Sequence, residues 1–437
     1  MAKAFLVSAL RSGEGKTLIT LGLLRLFQKK GLRVQPFKIG PDYIDPMWHQ
    51  VAGGVPSYNL DLFAMGKDRL KRLFYTKSSA KELVIVEGVM GLFDGKYSTY
   101  LIAKYLKIPI VLVIDTYGLA ESIRPLIRGT VERLKRAELP FAIMLNRISS
   151  KRHLLRVEKA LRGYPILGYL MRDEKIKIGS RHLGLLLPQD LAETNRIIDY
   201  VAEKLEENLN YEQLENLRLK EFEGGTKPRF LPDVPYKSIA IAFDRAFNFY
   251  YQHILDEFRE KYKLIFFSPL EDEELPQEAE VLYIGGGYPE LFGEVLAKNK
   301  KMLRAIKNWV ESKMPLYAEC GGFVYLCDAL SWNHQNFKLV GTFPFTVAKG
   351  SLNLGYRAVK PATHLPLFEC MTTFKGHEFH YTTLVNKDSN VPTCYQVRDL
   401  YGRSYREGYL INRALGTYIH LISFDLDEDE SRNELSI

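Results

Sequence analysis

Two short stretches of this chain hold residue types whose spacing could do chemistry. The first is "SALRSGEGKTLIT", Ser8 to Thr20, a glycine-rich turn ending in Lys16-Thr17 directly after the apolar run Ala4 to Val7. A strand, a glycine-rich turn and a helix in that order surround one point with backbone N–H groups and the positive helix end, where phosphate oxygens can sit. Ser12, Gly13, Glu14 and Gly15 would wrap ATP, Lys16 would reach its terminal phosphates, and the Thr17 hydroxyl would take a Mg²⁺ position. Leu10 stands where a standard loop opens with glycine, so an ordinary helix N-terminus with an exposed lysine is the competing reading.

Carboxylates follow at the right places. "VIVEGVMGLFDG" puts Glu87 and Asp94 at and just beyond the end of a buried-strand pattern, and "GPDYIDPMWH" puts Asp42 and Asp45 after a strand ending at Lys38. With Thr17, the residues Asp42, Asp45 and Glu87 are candidate metal ligands in the crevice at the strand C-termini. Lys38 and Asp94 are candidates for substrate contact or activation, and the Asn146 amide for reading a base edge.

The second stretch is "YAECGGF". Small Ala318 and Gly322 flank Cys320 two positions away on either side, the crowding rule of a turn that exposes a nucleophile. The N–H of Gly321, with those of Gly286 and Gly287 from "GGGYPE", could stabilise the oxyanion formed when a thiolate attacks an amide. His420 in "LGTYIHL" is the best base. The bland alternative for Cys320 is a buried small hydrophobe, the reading kept for Cys327, Cys370 and Cys394. In "KGHEFHY", strand alternation sends His377 and Glu378 to opposite faces, which argues against a metal cluster there. Arg181-His182 stays unassigned.

Elements must position these groups. In the first half, "KAFLV", "LRVQPFK", "ELVIVEG", "IPIVLVID" and "PFAIML" alternate with amphipathic stretches, the pattern of βαβ units around a mostly parallel sheet. A charged helical run from Glu203 to Lys220 is broken by "EFEGGTKPRFLPDVPYK", after which "SIAIAF", "KLIFF", "VLYIGGG" and "MPLYAECGG" restart the alternation ahead of a strand-rich stretch from about Phe337 to His420. The expected organisation is a P-loop α/β domain over 1–222, a linker over 223–237, a second α/β domain over 238–425 and an acidic tail over 426–437. The 437 residues carry a formal charge of +8 with acidic residues interspersed, which favours anionic ligands without pointing to nucleic acid. No apolar run is long enough to span a bilayer, and four unpaired cysteines suit a cytoplasmic protein.

"SGEGKT", "VQPFKIGPDYIDPMWH", "YNLDLFAM" and "VEGVMGLFDG" resemble the synthetase domain of the cobyrinic acid a,c-diamide synthase family, where the missing first glycine is normal. "YIGGGYPE", "YAECGG", "KGHEFHY" and "GTYIHL" resemble the class I glutaminase-like domain of the same family, so the match runs from Ala4 to about Leu421. The resemblance implies an α/β protein with an N-terminal deviant P-loop fold, similar to dethiobiotin synthetase, and a C-terminal class I glutaminase-like α/β domain. It implies ATP and Mg²⁺ as cofactors, glutamine as nitrogen donor, a tetrapyrrole polycarboxylate as substrate, no nucleic acid or membrane partner, and a homodimer. Thr17, an early Asp and Glu87 would correspond to Mg²⁺ ligands. Arg11 stands where related ATPases carry a signature lysine, so that role is not transferred. Ordinary glutaminases orient the base with a His-x-Glu pattern; here Ile422 follows His420 by two, leaving Glu378 as a substitute or a Cys-His dyad. Cobyric acid synthase and Ni-sirohydrochlorin a,c-diamide synthase are the rival enzymes, and a P-loop regulatory ATPase with a degenerate glutaminase module is the rival of another class.

Overall fold

The computed structural model describes residues 3–176, 188–217, 226–385 and 390–426, and the chain divides into two compact units. Arg181-His182, the start of the expected linker and the tail beyond Leu426 lie outside the described residues. Unit 1 covers Met1–Leu62 and Gly66–Pro228; unit 2 covers Phe63–Met65 and Arg229–Ile437. Among the described residues no helix is long and apolar enough to cross a membrane.

Unit 1 opens with β1 (Lys3–Ala9), α1 (Lys16–Lys29), β2 (Val34–Ile39), α2 (Ile44–Gly53), β3 (Tyr58–Leu60), α3 (Leu62–Ser78) and β4 (Leu83–Glu87). It continues with α4 (Thr99–Leu106), β5 (Ile110–Asp115), α5 (Ile123–Arg136), β6 (Phe141–Ile148), α6 (Lys151–Ala160), β7 (Ile166–Met171), α7 (Pro188–Asn208) and α8 (Tyr211–Glu215). The sheet is parallel in the order β3-β2-β4-β1-β5-β6-β7. Continuous β-branched and aliphatic runs suit strands covered on both faces, and the five strand patterns of the sequence are all present. Two strands had no clear pattern: β3 is only three residues long, and Gly168 interrupts β7. The charged helical run also starts earlier, at Pro188, and stops at Asn208, with α8 beginning after Asn210 caps it through its side chain.

Parallel register decides which side chains meet. Val7 is level with Glu87, and Glu87 with Lys38, so the last residue of β4 shares a face with a lysine of β2 beside the turn that follows β1.

Unit 2 begins before its first strand. The N–H groups of Phe230 and Leu231 bond to the Glu257 carboxylate at 2.8 and 3.2 Å, because burying both apolar side chains leaves those amides needing partners. The strands and helices β8 (Ser238–Ala242), α9 (Gln252–Lys261), β9 (Lys263–Phe267), β10 (Val281–Ile284), α10 (Gly293–Lys298), α11 (Lys300–Glu311), β11 (Leu316–Glu319) and α12 (Gly321–Leu326) restore the α/β pattern. A layer that is antiparallel except for the parallel pair β12-β14 follows in β12 (Cys327–Trp332), β13 (Gln335–Lys338), β14 (Phe343–Pro361), β15 (Phe374–Leu384), β16 (Thr393–Asp399) and β17 (Ser404–Ile411), then β18 (Ala414–Thr417) and β19 (His420–Phe424). β9, β8, β10, β11 and β18 run parallel to one another, so the turns after β10, β11 and β18 gather at one sheet edge.

Close approach of α1 and α7 seals unit 1 at Gly22, where a Cβ would lie 2.6 Å from Leu205 Cδ1 and Val201 Cγ1. Gly22→Val should therefore overpack this contact and lower stability by about 1–3 kcal/mol, read as a lower urea midpoint. An unchanged midpoint would show that α7 can move away freely.

Candidate functional site

The first centre is built around Glu87, whose carboxylate is fully buried. Its Oε1 accepts from the Thr17 hydroxyl at 2.7 Å and from Lys38 Nζ at 2.9 Å; its Oε2 is 2.7 Å from His49 Nε2. An ionised carboxylate only accepts, so His49 donates through Nε2 and takes the Ser57 hydroxyl at Nδ1, 3.0 Å away. Burial opposes the charge on Glu87, yet Lys38, His49 and Thr17 together hold it ionised well below the usual carboxylate range. Burial likewise opposes the charge on Lys38, but Glu87, Asp45 and Asp42 outweigh it and keep the ammonium protonated.

One ammonium here faces three carboxylates. Lys38 bonds to Asp45 as well as Glu87, and lies 3.8 Å from Asp42. Burial and the neighbouring Glu87 push the Asp45 carboxyl up, the expected result when negative charge exceeds its counter-charge. Asp42 also caps α2, its Oδ1 accepting from the N–H groups of Ile44 and Asp45. Asp94 is exposed and closes its own turn on the Gly91 N–H at 2.8 Å.

The glycine-rich turn is braced from several sides. Gly13 and Gly15 have φ of +82° and +96°, conformations that favour glycine, whereas Leu10 needs no such freedom. Clearance at Leu10 comes instead from Gly91, where a Cβ would lie 2.3 Å from the Leu10 carbonyl oxygen. Glu14 turns inward, accepting from the Leu10 N–H at 3.3 Å and pairing with Arg11. Lys16 folds back onto the Arg11 carbonyl at 3.1 Å; burial and Lys38 lower its pKa. Ser12 stays exposed. Asn146 also braces the turn: its Nδ2 donates to the Glu14 carbonyl at 2.9 Å, while its Oδ1 accepts from the Arg147 N–H at 2.9 Å.

The second centre lies at the sheet edge of unit 2. Cys320 sits between β11 and α12 with φ +46° and ψ −104°, a strained backbone for a side chain with a Cβ. Its N–H donates to the Thr417 carbonyl at 2.7 Å, and the Gly322 N–H to Gly285 at 3.0 Å. Gly322 has no room for a side chain, since a Cβ would lie 2.2 Å from the Ile284 carbonyl oxygen. The expected oxyanion glycines converge: a Cβ on Gly321 would lie 2.9 Å from Gly287 N, and one on Gly286 would lie 2.2 Å from His420 Cε1. His420 and Cys320 therefore flank the same loop after β10.

Burial, reinforced by Glu290 and Glu319, pushes the Cys320 thiol well up, so a base is needed to form the thiolate. Burial also pushes the Glu290 carboxyl up to about 7. The ring of His377 stacks on His420 at 5.0 Å and 20°, and its Nδ1 is 3.1 Å from the Tyr251 hydroxyl. The suggested substitute Glu378 is committed elsewhere: it accepts from Arg357 at 2.7 Å and Tyr405 at 2.8 Å. With His380 it lines a separate pocket of about 480 Å³. The alternation along β15 has carried it away from the His377 face. Sequence reasoning missed Glu319, whose Oε2 lies 3.8 Å from His420 Nδ1, and the His49-Ser57 pair.

The family described as CobQ/CobB/MinD/ParA nucleotide binding domain matches residues 5–186, and the CobB/CobQ-like glutamine amidotransferase domain matches residues 238–427. A cobyrinate a,c-diamide synthase of Caldanaerobacter subterraneus subsp. tengcongensis is 36% identical, covering 99% of this chain and 98% of its own. Enzymes of that name from Listeria monocytogenes and Saccharolobus solfataricus are 36% and 35% identical over 95% and 96% of this chain, and 95% and 97% of theirs.

Lys38→Met should strand Glu87 and Asp45 in a dry site and destabilise unit 1 by roughly 3–5 kcal/mol near pH 7. The native pair keeps Glu87 ionised, so its stabilisation is fully present above the ordinary glutamate range and is lost progressively as pH falls from there toward the depressed native value. The orphaned carboxylates of the variant take up protons sooner. The gap in urea midpoint should accordingly narrow toward pH 4, and a gap that is absent at pH 7 would show that the cation is dispensable.

Proposed function

The chain belongs to the cobyrinate a,c-diamide synthase family, and on that premise we propose how its two centres share the reaction. Cys320 and His420 release ammonia from glutamine, and the glycine-rich turn of unit 1 binds ATP to activate the a and c acetate carboxylates of a cobyrinic acid-type tetrapyrrole. One observation supports the reading: a cysteine with a strained backbone, sharing a glycine loop with His420, lies in one unit, and a glycine-rich turn backed by a buried carboxylate lies in the other.

The hydrolysis step uses the thiol proton. His420 takes it as sulfur bonds to the amide carbon, and returns it to the nitrogen as the C–N bond breaks and ammonia leaves. The N–H groups of Gly286, Gly287 and Gly321 stabilise the oxyanion, and water then cleaves the thioester to glutamate.

In unit 1 a carboxylate is too poor an electrophile for ammonia, and transfer of the γ-phosphoryl group gives it a leaving group. Ser12 to Gly15 and Lys16 hold the phosphates. Thr17 and Glu87, with Asp45, fit Mg²⁺: the Thr17 hydroxyl gives its hydrogen to Glu87 and keeps its lone pairs for a cation, and the three carboxylates around Lys38 leave room for further positive charge. Bound there, Mg²⁺ would neutralise charge on the phosphates. Lys38 holds the acids in place, and the Asp94 turn keeps its loop against the phosphate turn.

Cys320→Ala should abolish amidation supported by glutamine and preserve amidation supported by ammonium salt, whereas Lys16→Ala or Glu87→Ala should remove both and leave some glutamine hydrolysis. Equal loss with both nitrogen donors in the Cys320 variant would reject two separate centres. Because one ATP site serves two acetates, a monoamide should rise early and decay later in mass spectra of a reaction with cobyrinic acid, MgATP and glutamine. Diamide formed with no monoamide at any time would reject release between the two steps.

A further inference from the structure

The glutaminase reading supplies a nucleophile and a base, but Ile422 occupies the position from which a carboxylate would orient that base. We propose that Glu319, the residue directly before the nucleophile, supplies this carboxylate and acts as a positioning residue that holds His420 through Nδ1. The inference rests on the roles given above to Cys320 and His420.

Glu319 ends β11 and is 1% exposed, as is His420, so the two share a compartment closed to water. Both carboxylate oxygens have backing. Oε1 accepts from the Leu421 N–H at 3.0 Å, and Oε2 accepts from the Tyr283 hydroxyl at 3.0 Å. The acid is thus tied by one peptide bond to the nucleophile and by one hydrogen bond to the residue after the base. From this tether Oε2 stands 3.8 Å from His420 Nδ1, an ion-pair separation that a small ring rotation converts to a hydrogen bond.

The neighbours favour this assignment. His377, stacked on the other ring face, is kept neutral chiefly by burial and engages Tyr251, while Glu378 is satisfied by Arg357 and Tyr405. A carboxylate at Nδ1 fixes the proton on that nitrogen, makes Nε2 the acceptor for the thiol proton, and stabilises the imidazolium that results. The orienting acid therefore enters from the strand before the nucleophile instead of from the strand after the base.

Glu319→Gln in the full chain keeps the side-chain shape and an acceptor for Leu421 while removing the charge. It should lower kcat for glutamine hydrolysis by about 100-fold with KM within about threefold. Glu319→Asp keeps the charge and should retain more kcat than the Gln variant, whereas a role in packing alone predicts the reverse order. A Gln variant within about threefold of wild-type kcat, or an Asp variant below it, overturns the inference. Should the Gln variant not fold, the wild-type protein carries the test after its thiol is alkylated with 6-diazo-5-oxo-norleucine. The Oε2 to Nδ1 distance should close to about 3.2 Å or less in a crystal structure of that adduct, and any longer separation overturns the proposal. Loss of hydrolysis in Cys320→Ala and His420→Ala without loss in Glu319→Gln rejects this inference alone. Retention in all three rejects the glutaminase reading beneath it.

Discussion

The burial of Glu87 is the constraint on which unit 1 depends. A carboxylate removed from water is stable only if its lone pairs and its charge are both answered, and four segments contribute to that answer: the first turn of α1, strand β2, helix α2 and the Ser57 turn. Satisfying the acid therefore fixes the glycine-rich turn, Lys38 and the first turn of α2, which holds Asp45, in one arrangement. Lys38 is available because β2 and β4 run parallel in register, an outcome of sheet geometry set far from any ligand.

Unit 2 solves a different problem by crowding. Glycine stands where backbone meets backbone, as at Gly322 against Ile284 and Gly376 of β15 against the His420 carbonyl, so main-chain contacts help to locate Cys320 and His420. The polar groups that remain, Glu319 and His377, then meet His420 within a compartment of low polarity where each electrostatic contact counts for more than in water.

Local patterns in the chain carried much of this. The glycine-rich turn, the tight turn at Cys320 and the strand ends at Lys38 and Glu87 are legible because each rests on spacing within about a dozen residues. What stayed hidden depends on distant partners. Glu319 reads as an ordinary strand end in "YAEC", and only the pairing of β11 with the segment leading to β19 brings it to Leu421 and His420. The one signal available was an acid in an otherwise apolar strand beside a nucleophile. That Asn146 lies against Gly15 and bonds the Glu14 carbonyl is likewise invisible in a stretch more than a hundred residues away. His49 and Ser57 lie only eight positions apart, but nothing in their spacing shows that both answer to Glu87.

The backbone at Cys320 sets selection for durability against selection for turnover. A residue with a Cβ held at φ +46° stores on the order of 1–3 kcal/mol that glycine at the same place would release. Drift toward a sturdier protein would thus erode the nucleophile before it touched the rest of the fold. A lineage fed by free ammonia would feel no penalty, and its chains would be expected to keep the elbow and lose the sulfur.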